Sequence, residues 1–279
     1  MKKIICMLLA LVMVFALASV AFAADEKKET LIFGTSADYA PYEFMYPSET
    51  GSMLFGGIDV SVAGYIADYL EMELQIENMD FGYLLTALNK GDFDMVLADI
   101  EPTEARMNAV DFSDPYMVEL PNMFLVRAED VDLYPDVTSF AGKNVGAQVG
   151  STKVDHVAED CPGANCVALA LITDLVNELV NGKIDAILLD GAVAMNYAQI
   201  NPDLAVAGAS EFYAADEHHI CVAVAKGDPK GLLPGINEAI AQLIEEGKIE
   251  EFSALADSLS GVAEEVTGDV PEGYEPDAG

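Results

Sequence analysis

Short apolar runs alternate with helical periodicity along most of the chain. Leu31-Ile32-Phe33 predicts a strand, and Val62, Tyr65, Ile66, Tyr69 and Leu70 follow the i, i+3, i+4, i+7, i+8 spacing of an amphipathic helix. Leu74 and Ile76 alternate as in a strand, Tyr83 to Asn89 predicts a helix ending near Gly91, and Met95 to Ala98 predicts another strand. The alternation resumes with a strand over Asn144 to Ala147, a helix over Leu175 to Val180, a strand over Ala186 to Leu189 and a helix over Ala192 to Ile200. Strands alternating with helices predict an α/β protein of parallel sheets with crossover helices. Leu232 to Leu259 predicts a helical ending, with Leu233, Ile236, Ile240, Leu243 and Ile244 on one stripe. Gly261 to Gly279 is acidic and dotted with Gly and Pro, and predicts a disordered tail.

One segment has an echo. Leu88 to Asp99 and Leu179 to Asp190 share Leu, Gly, Asp, Leu and a final Asp at a constant offset of 91 residues, five identities in twelve without a gap. Each copy reads as a helix end, a Gly stop and a buried strand that delivers an aspartate at its carboxyl end. Two such copies predict two lobes. Ligands of open α/β sheets bind beyond the carboxyl ends of the strands, so Asp99 and Asp190 are expected to face a shared cleft from opposite lobes.

Composition narrows the function. The chain has 279 residues, 52% of them apolar, which is enough for one large domain or two ordinary ones. Only 13 Lys and Arg stand against 48 Asp and Glu, and a formal charge of −35 excludes nucleic acid as a partner. Residues 1–23 read as a cleavable export signal: Lys2 and Lys3, an apolar stretch from Ile4 to Val20, then Ala21-Phe22-Ala23 as a small-x-small cleavage site. An uncleaved anchor is the alternative, but the apolar run is short for a stable span. Cys6 lies within that stretch with no lipoprotein processing site around it. The mature protein is therefore expected to be soluble and periplasmic or otherwise exported. Cys161 and Cys166 bracket Pro-Gly-Ala-Asn and are expected to close a small disulfide. A metal site with His156 is the weaker alternative, because too few soft ligands are at hand. Cys221 reads as a small buried residue. His218 and His219 read as hinge or rim residues, since neighbours on a strand point to opposite faces.

Arg106 and Arg127 are the only arginines in the chain. Arg106 follows Pro102-Thr103-Glu104-Ala105, where Thr103 can cap a helix and bring a guanidinium close to the first strand-end aspartate. A guanidinium there suits a carboxylate ligand, while the bland alternative is a surface arginine paired with a neighbouring acid. The motifs around it carry a resemblance. Gly34-Thr35-Ser36-Ala37-Asp38-Tyr39-Ala40-Pro41-Tyr42, Gly57-Ile58-Asp59-Val60, Pro102 to Arg106 and Val110-Asp111-Phe112-Ser113-Asp114-Pro115-Tyr116 occur in order. Val145 to Thr152, Ile184-Asp185-Ala186 with Asp190, and Ala225-Lys226-Gly227-Asp228-Pro229 follow. From Leu31 to Leu259 the chain resembles the polar amino-acid-binding branch of the bacterial extracellular solute-binding proteins, which feed ATP-binding-cassette importers.

The resemblance implies a type II periplasmic-binding-protein fold, each lobe a mixed, mostly parallel sheet flanked by helices with the ligand in the cleft between them, lobe 1 over residues 30–117 plus 223–259 and lobe 2 over residues 121–220. It implies a non-catalytic protein without cofactor or metal, acting as a monomer, that captures an amino acid and delivers it to the importer's membrane permease. It places the carboxylate-gripping arginine on Arg106 and the turn that completes that site on Gly150-Ser151-Thr152. The aspartate that takes the ligand's ammonium falls on Asp190, and the aromatic pair flanking the side chain on Tyr39 and Phe81, for which ordinary core packing is the alternative. Asp99 stands where the family usually has glycine or serine, and Glu101 where it usually has serine or threonine. Ser36 replaces an aspartate found in some members selective for cationic amino acids. Three carboxylates near one arginine favour a cationic ligand, unless Asp99 or Glu101 turns to solvent. The competing reading is a cyclohexadienyl or arogenate dehydratase-like enzyme on the same scaffold, with Glu101 as general acid.

Overall fold

The computed structural model describes residues 28–267, with side-chain surroundings up to Gly261. The expected export signal over residues 1–23 and the tail beyond Thr267 lie outside the described residues. Two five-stranded sheets carry the fold. The first contains β1 (Thr30–Thr35), β5 (Glu73–Asn78), β6 (Met95–Val96), β7 (Val110–Phe112) and β15 (Ala223–Ala225), in the order β5-β1-β6-β15-β7. Here β1 runs parallel to β5 and β6, while β15 is antiparallel to both its neighbours. The second contains β9 (Met123–Arg127), β10 (Asn144–Gln148), β11 (Asn165–Leu169), β12 (Ala186–Leu189) and β13 (Leu204–Val206), in the order β11-β10-β12-β9-β13. It has the same pattern: β10 is parallel to β11 and β12, and β9 is antiparallel to both its neighbours. One strand in each sheet is reversed, which gives the mixed, mostly parallel sheets expected.

The lobes are joined by a two-stranded ribbon of β8 (Met117–Glu119) and β14 (His218–Ile220), paired antiparallel. A small sheet of β2 (Asp38–Tyr39), β3 (Glu43–Pro47) and β4 (Met53–Gly56) covers part of the first lobe. The helix Ile58–Tyr69 buries Ile58, Val62, Ala63 and Ile66 against Leu31, Phe33 and Met95, as its apolar spacing requires.

The internal echo has a physical basis. Gly91 and Gly182 end the two helices in left-handed conformation, with φ of 85° and 70°, which a residue without Cβ adopts at no steric cost. Asp94 then accepts the backbone N–H of Ile32 at 2.8 Å, and Asp185 accepts that of Asn144 at 2.8 Å. Each of these aspartates also pairs with a lysine, Lys230 and Lys143 respectively. The repeated Gly and Asp therefore fasten helix to sheet in the same way in both lobes.

Three expectations change. The C-terminal helical stretch is two helices, Leu233–Glu245 and Lys248–Thr267, separated at Gly247, whose φ is 67°. The second runs past Gly261, where the tail was expected to begin, because Phe252, Ala256 and Leu259 pack on the first lobe's core and anchor it. Cys161 and Cys166 are free thiols in this structure rather than the expected disulfide. Cys161 turns inward beside Val157 and Phe140 at the end of the helix Lys153–Asp160, whereas Cys166 lies exposed on β11. No helix among the described residues is long and apolar enough to cross a membrane.

Candidate functional site

The site forms where loops at the carboxyl ends of β1, β6, β10 and β12 meet between the lobes. Thr103 caps the helix Glu104–Ala109 by accepting the N–H of Arg106 at 3.2 Å, a contact worth about 1 kcal/mol. This fixes the guanidinium over the Phe81 ring, 5.4 Å from its centroid. Arg106 Nη1 lies 3.3 Å from Glu101 Oε2, and Nη2 donates across the cleft to the carbonyl of Gly150 at 3.3 Å. Gly150 has φ 85°, and a Cβ there would stand 2.7 Å from the Gly82 Cα of the opposite lobe. Only glycine lets the two backbones approach so closely.

Asp190, at the end of β12, is buried and doubly engaged. Its Oδ2 accepts the Tyr39 hydroxyl at 2.6 Å, and its Oδ1 lies 2.6 Å from Lys153 Nζ and 3.8 Å from His218 Nδ1. Thr152 donates to Glu101 Oε1 at 2.7 Å, while the Ser151 hydroxyl turns back to the carbonyl of Gln148. Asp99 is buried with φ 46°, a conformation costly for a residue with Cβ, and its Oδ2 has no hydrogen-bond partner. Behind it lie two further buried acids. Asp59 accepts the Asp99 N–H and the Tyr116 hydroxyl, and Glu43 keeps one oxygen without a partner.

Burial pushes Asp190 toward protonation, but the Lys153 charge, the bonds from Lys153 and Tyr39 and the nearby His218 imidazole hold it well below the usual carboxylate range. Burial likewise raises Glu101, and the cations Lys153 and Arg106 outweigh it, so Glu101 is also lowered. Burial and then the Asp190 charge drive Asp99 well above the usual range. Glu43 is raised by burial and by Asp59, and Asp59 itself is pushed up to about 6 by burial. Asp190 and Glu101 are therefore ionised beside Lys153 at neutral pH, whereas Asp99 and Glu43 hold on to protons.

The structure brings Tyr39, Phe81, Asp99, Glu101, Arg106, Ser151 and Asp190 around one cavity, with Thr152 at its edge. Asp99 and Glu101 both face inward, so the alternative in which they turn to solvent is set aside. Ser36 does not line the cavity; it donates to Asp38, which receives the N–H of Ile172 from the second lobe. Lys153 and Glu43, which do line it, went unnoticed in the sequence. A signal for Lys153 existed, because a lysine that opens a helix opposes the helix dipole and needs a carboxylate to hold it there. His218 turns to Asp190 while its neighbour His219 is exposed, the opposite-face arrangement expected. Among the described residues no group of three or more His, Cys, Asp or Glu could hold a metal ion.

The profile of the bacterial extracellular solute-binding proteins, family 3, matches residues 31–254. The chain belongs to that family. It is 34% identical over 209 residues to the arginine-binding extracellular protein ArtP of Bacillus subtilis, covering 73% of this chain and 79% of that one. An amino acid ABC transporter substrate-binding protein of Streptococcus pneumoniae bound to L-arginine superposes with a TM-score of 0.76 at 36% identity, covering 82% of this chain and 94% of the other. The ancestral amino acid-binding protein AncCDT-1, a precursor of cyclohexadienyl dehydratase, superposes with a TM-score of 0.71 at 28% identity, covering 80% and 93%. The family's members are exported solute-binding components of importers, and the two-lobed fold described above is theirs.

Proposed function

We propose that this protein captures an amino acid outside the cytoplasm, with a preference for cationic side chains, and presents it to the membrane permease of an ATP-binding-cassette importer. In this reading Arg106, with the Gly150-Ser151-Thr152 turn, takes the ligand's carboxylate. Asp190 and Tyr39 take its ammonium, and Phe81 flanks the side chain. Asp99, Glu101 and Asp190 stand against only Arg106 and Lys153, so one carboxyl lacks a cation; it is Asp99, which keeps a proton that a ligand cation would displace. The observation that carries the cationic preference is the buried Asp99 carboxyl, whose Oδ2 has no partner. A side-chain guanidinium or ammonium would satisfy it, whereas a neutral side chain would leave it orphaned. The arginine ligands of the relatives point the same way.

Contacts between the lobes support closure around the ligand: Thr152 to Glu101, Arg106 to Gly150, Tyr39 to Asp190 and Ile172 to Asp38. The dehydratase reading asks Glu101 to be a general acid. Lys153 and Arg106 instead keep it ionised, which suits a binding residue better. The experiment is a thermal-shift screen of ligand-stripped protein against the common amino acids and polyamines. A ligand at 100 times its dissociation constant adds about 2.7 kcal/mol, a rise of roughly 5–10 °C for a chain of this size. Arginine, lysine or ornithine should give the largest shifts. A response to none of the amino acids refutes the reading.

A further inference from the structure

The two charged groups assigned to the ligand's ends are each already paired with another charged side chain of the protein. The carboxylate assigned to the ligand's ammonium, Asp190, holds the Lys153 ammonium at 2.6 Å, and Lys153 is only 3% exposed. The guanidinium assigned to the ligand's carboxylate, Arg106, holds the Glu101 carboxylate at 3.3 Å. Glu101 also takes the Thr152 hydroxyl at 2.7 Å, the donor that the reading gives to the ligand's other carboxylate oxygen. The space left among them is about 10 Å³, room for one water and not for an amino acid.

We propose that Lys153 and Glu101 are tethered stand-ins for the α-ammonium and α-carboxylate of the ligand, and that together they determine which amino acids the site accepts. This rests on the assignment of Arg106 and Asp190 to the ligand's two ends. An incoming zwitterion has to displace both stand-ins, and it replaces each pair like for like, so its charged ends alone bring little net gain. A ligand with a second cation brings a new pair, because Asp99 has an oxygen without a partner and the displaced Glu101 lies beside it. The stand-ins thus reject neutral amino acids by competition and admit cationic ones. A site without them, in which serine or threonine replaces Glu101 and an uncharged residue replaces Lys153, would bind both classes.

Lys153→Met and Glu101→Thr, singly and combined, test this by calorimetric titration of ligand-stripped protein with L-arginine and L-glutamine at pH 7.5. Each single variant is expected to bind L-glutamine at least tenfold more tightly than the wild type, and the ratio of arginine to glutamine affinity is expected to shrink. Ligand-free Lys153→Met should melt below the wild type and recover with saturating L-arginine, as the ligand's ammonium replaces the lost one. If Lys153→Met does not fold, Lys153→Gln and Glu101→Thr carry the test, since Glu101→Thr leaves the Lys153–Asp190 pair intact. Folded variants with unchanged or weaker affinity for both amino acids overturn the proposal, because the pairs then only position Asp190 and Arg106. Binding of neither amino acid by the wild type and the double variant alike overturns the amino-acid reading itself.

Discussion

Replacing Asp99 with glycine should make the protein more stable and less selective. Asp99 holds φ at 46°, where a side chain with Cβ costs roughly 1–2 kcal/mol; glycine avoids that strain and gives back about 0.5–1 kcal/mol in chain entropy. Its buried Oδ2 lacks a partner, a further penalty of about 1–3 kcal/mol. The hydrogen bond from its backbone N–H to Asp59 survives the substitution. A net gain of about 3 kcal/mol is expected, or roughly 6–12 °C in melting temperature for a chain of this length. The gain should grow with pH. Burial, reinforced by the Asp190 charge, raises the folded-state pKa of Asp99, so the folded protein holds a proton that the unfolded chain has already released. That contribution is complete below the unfolded pKa and is lost as pH rises through the folded one, and glycine removes it. Calorimetry of wild type and Asp99→Gly at pH 5 and pH 8, with parallel titrations of L-arginine and L-glutamine, measures both effects. A lower melting temperature at both pH values would show that the carboxyl is satisfied where it stands. Undiminished arginine preference would show that Asp99 does not read the ligand.

Arg106→Ala should weaken L-arginine binding at least about a hundredfold, since breaking a buried charge pair costs about 3–5 kcal/mol. Arg127→Ala should leave affinity intact and lower the melting temperature, because Arg127 ties the carbonyls of Leu179 and Ile184 and pairs with Asp130; equal affinities in the two variants would refute the assignment. Glu119→Gln should stabilise the protein at pH 8 by up to about 3 kcal/mol and have little effect at pH 4.5. Burial, then the Asp190 charge, lifts Glu119 from 4.5 to about 7, so its contribution is lost as pH rises through that window, and glutamine keeps the acceptor for the Ala192 N–H. Parallel denaturation curves for Glu119→Gln and wild type at both pH values would contradict the shift.

Periodicity placed β1, β5 and β6 of the first sheet and β10 and β12 of the second, because burial dictates which positions are apolar; β7, β9, β11, β13 and β15 went unplaced. The repeat at Gly91 and Gly182 marked the two lobes, since each lobe needs a left-handed helix end and a strand-fastening aspartate at the same place. The break at Gly247 was hidden, because the apolar stripe continues on both sides of it. The site was legible where a residue type is rare or capped in a recognisable way: Arg106 behind Thr103, and Asp190 at a strand end. Lys153 and Glu43 were not. Their role depends on which direction a buried side chain takes, and that is set by contacts from the opposite lobe. The expected Cys161–Cys166 bond, absent in this structure, was not decidable from spacing, which gives proximity along the chain but not the direction that core packing imposes on the buried Cys161.

The strand β15, late in the chain, is inserted between β6 and β7 of the first sheet, and the helix Lys248–Thr267 packs on the helix Ile58–Tyr69 and on β3 of the same lobe. A growing polypeptide therefore cannot complete its first lobe until nearly its last residues have been made, whereas the second lobe, built from one continuous stretch, can close earlier. Pairings so distant along the chain form slowly. For a family whose members work outside the cytoplasm, this order of assembly leaves the nascent chain open and threadable until synthesis is almost finished, which is the condition in which a secretion channel can accept it.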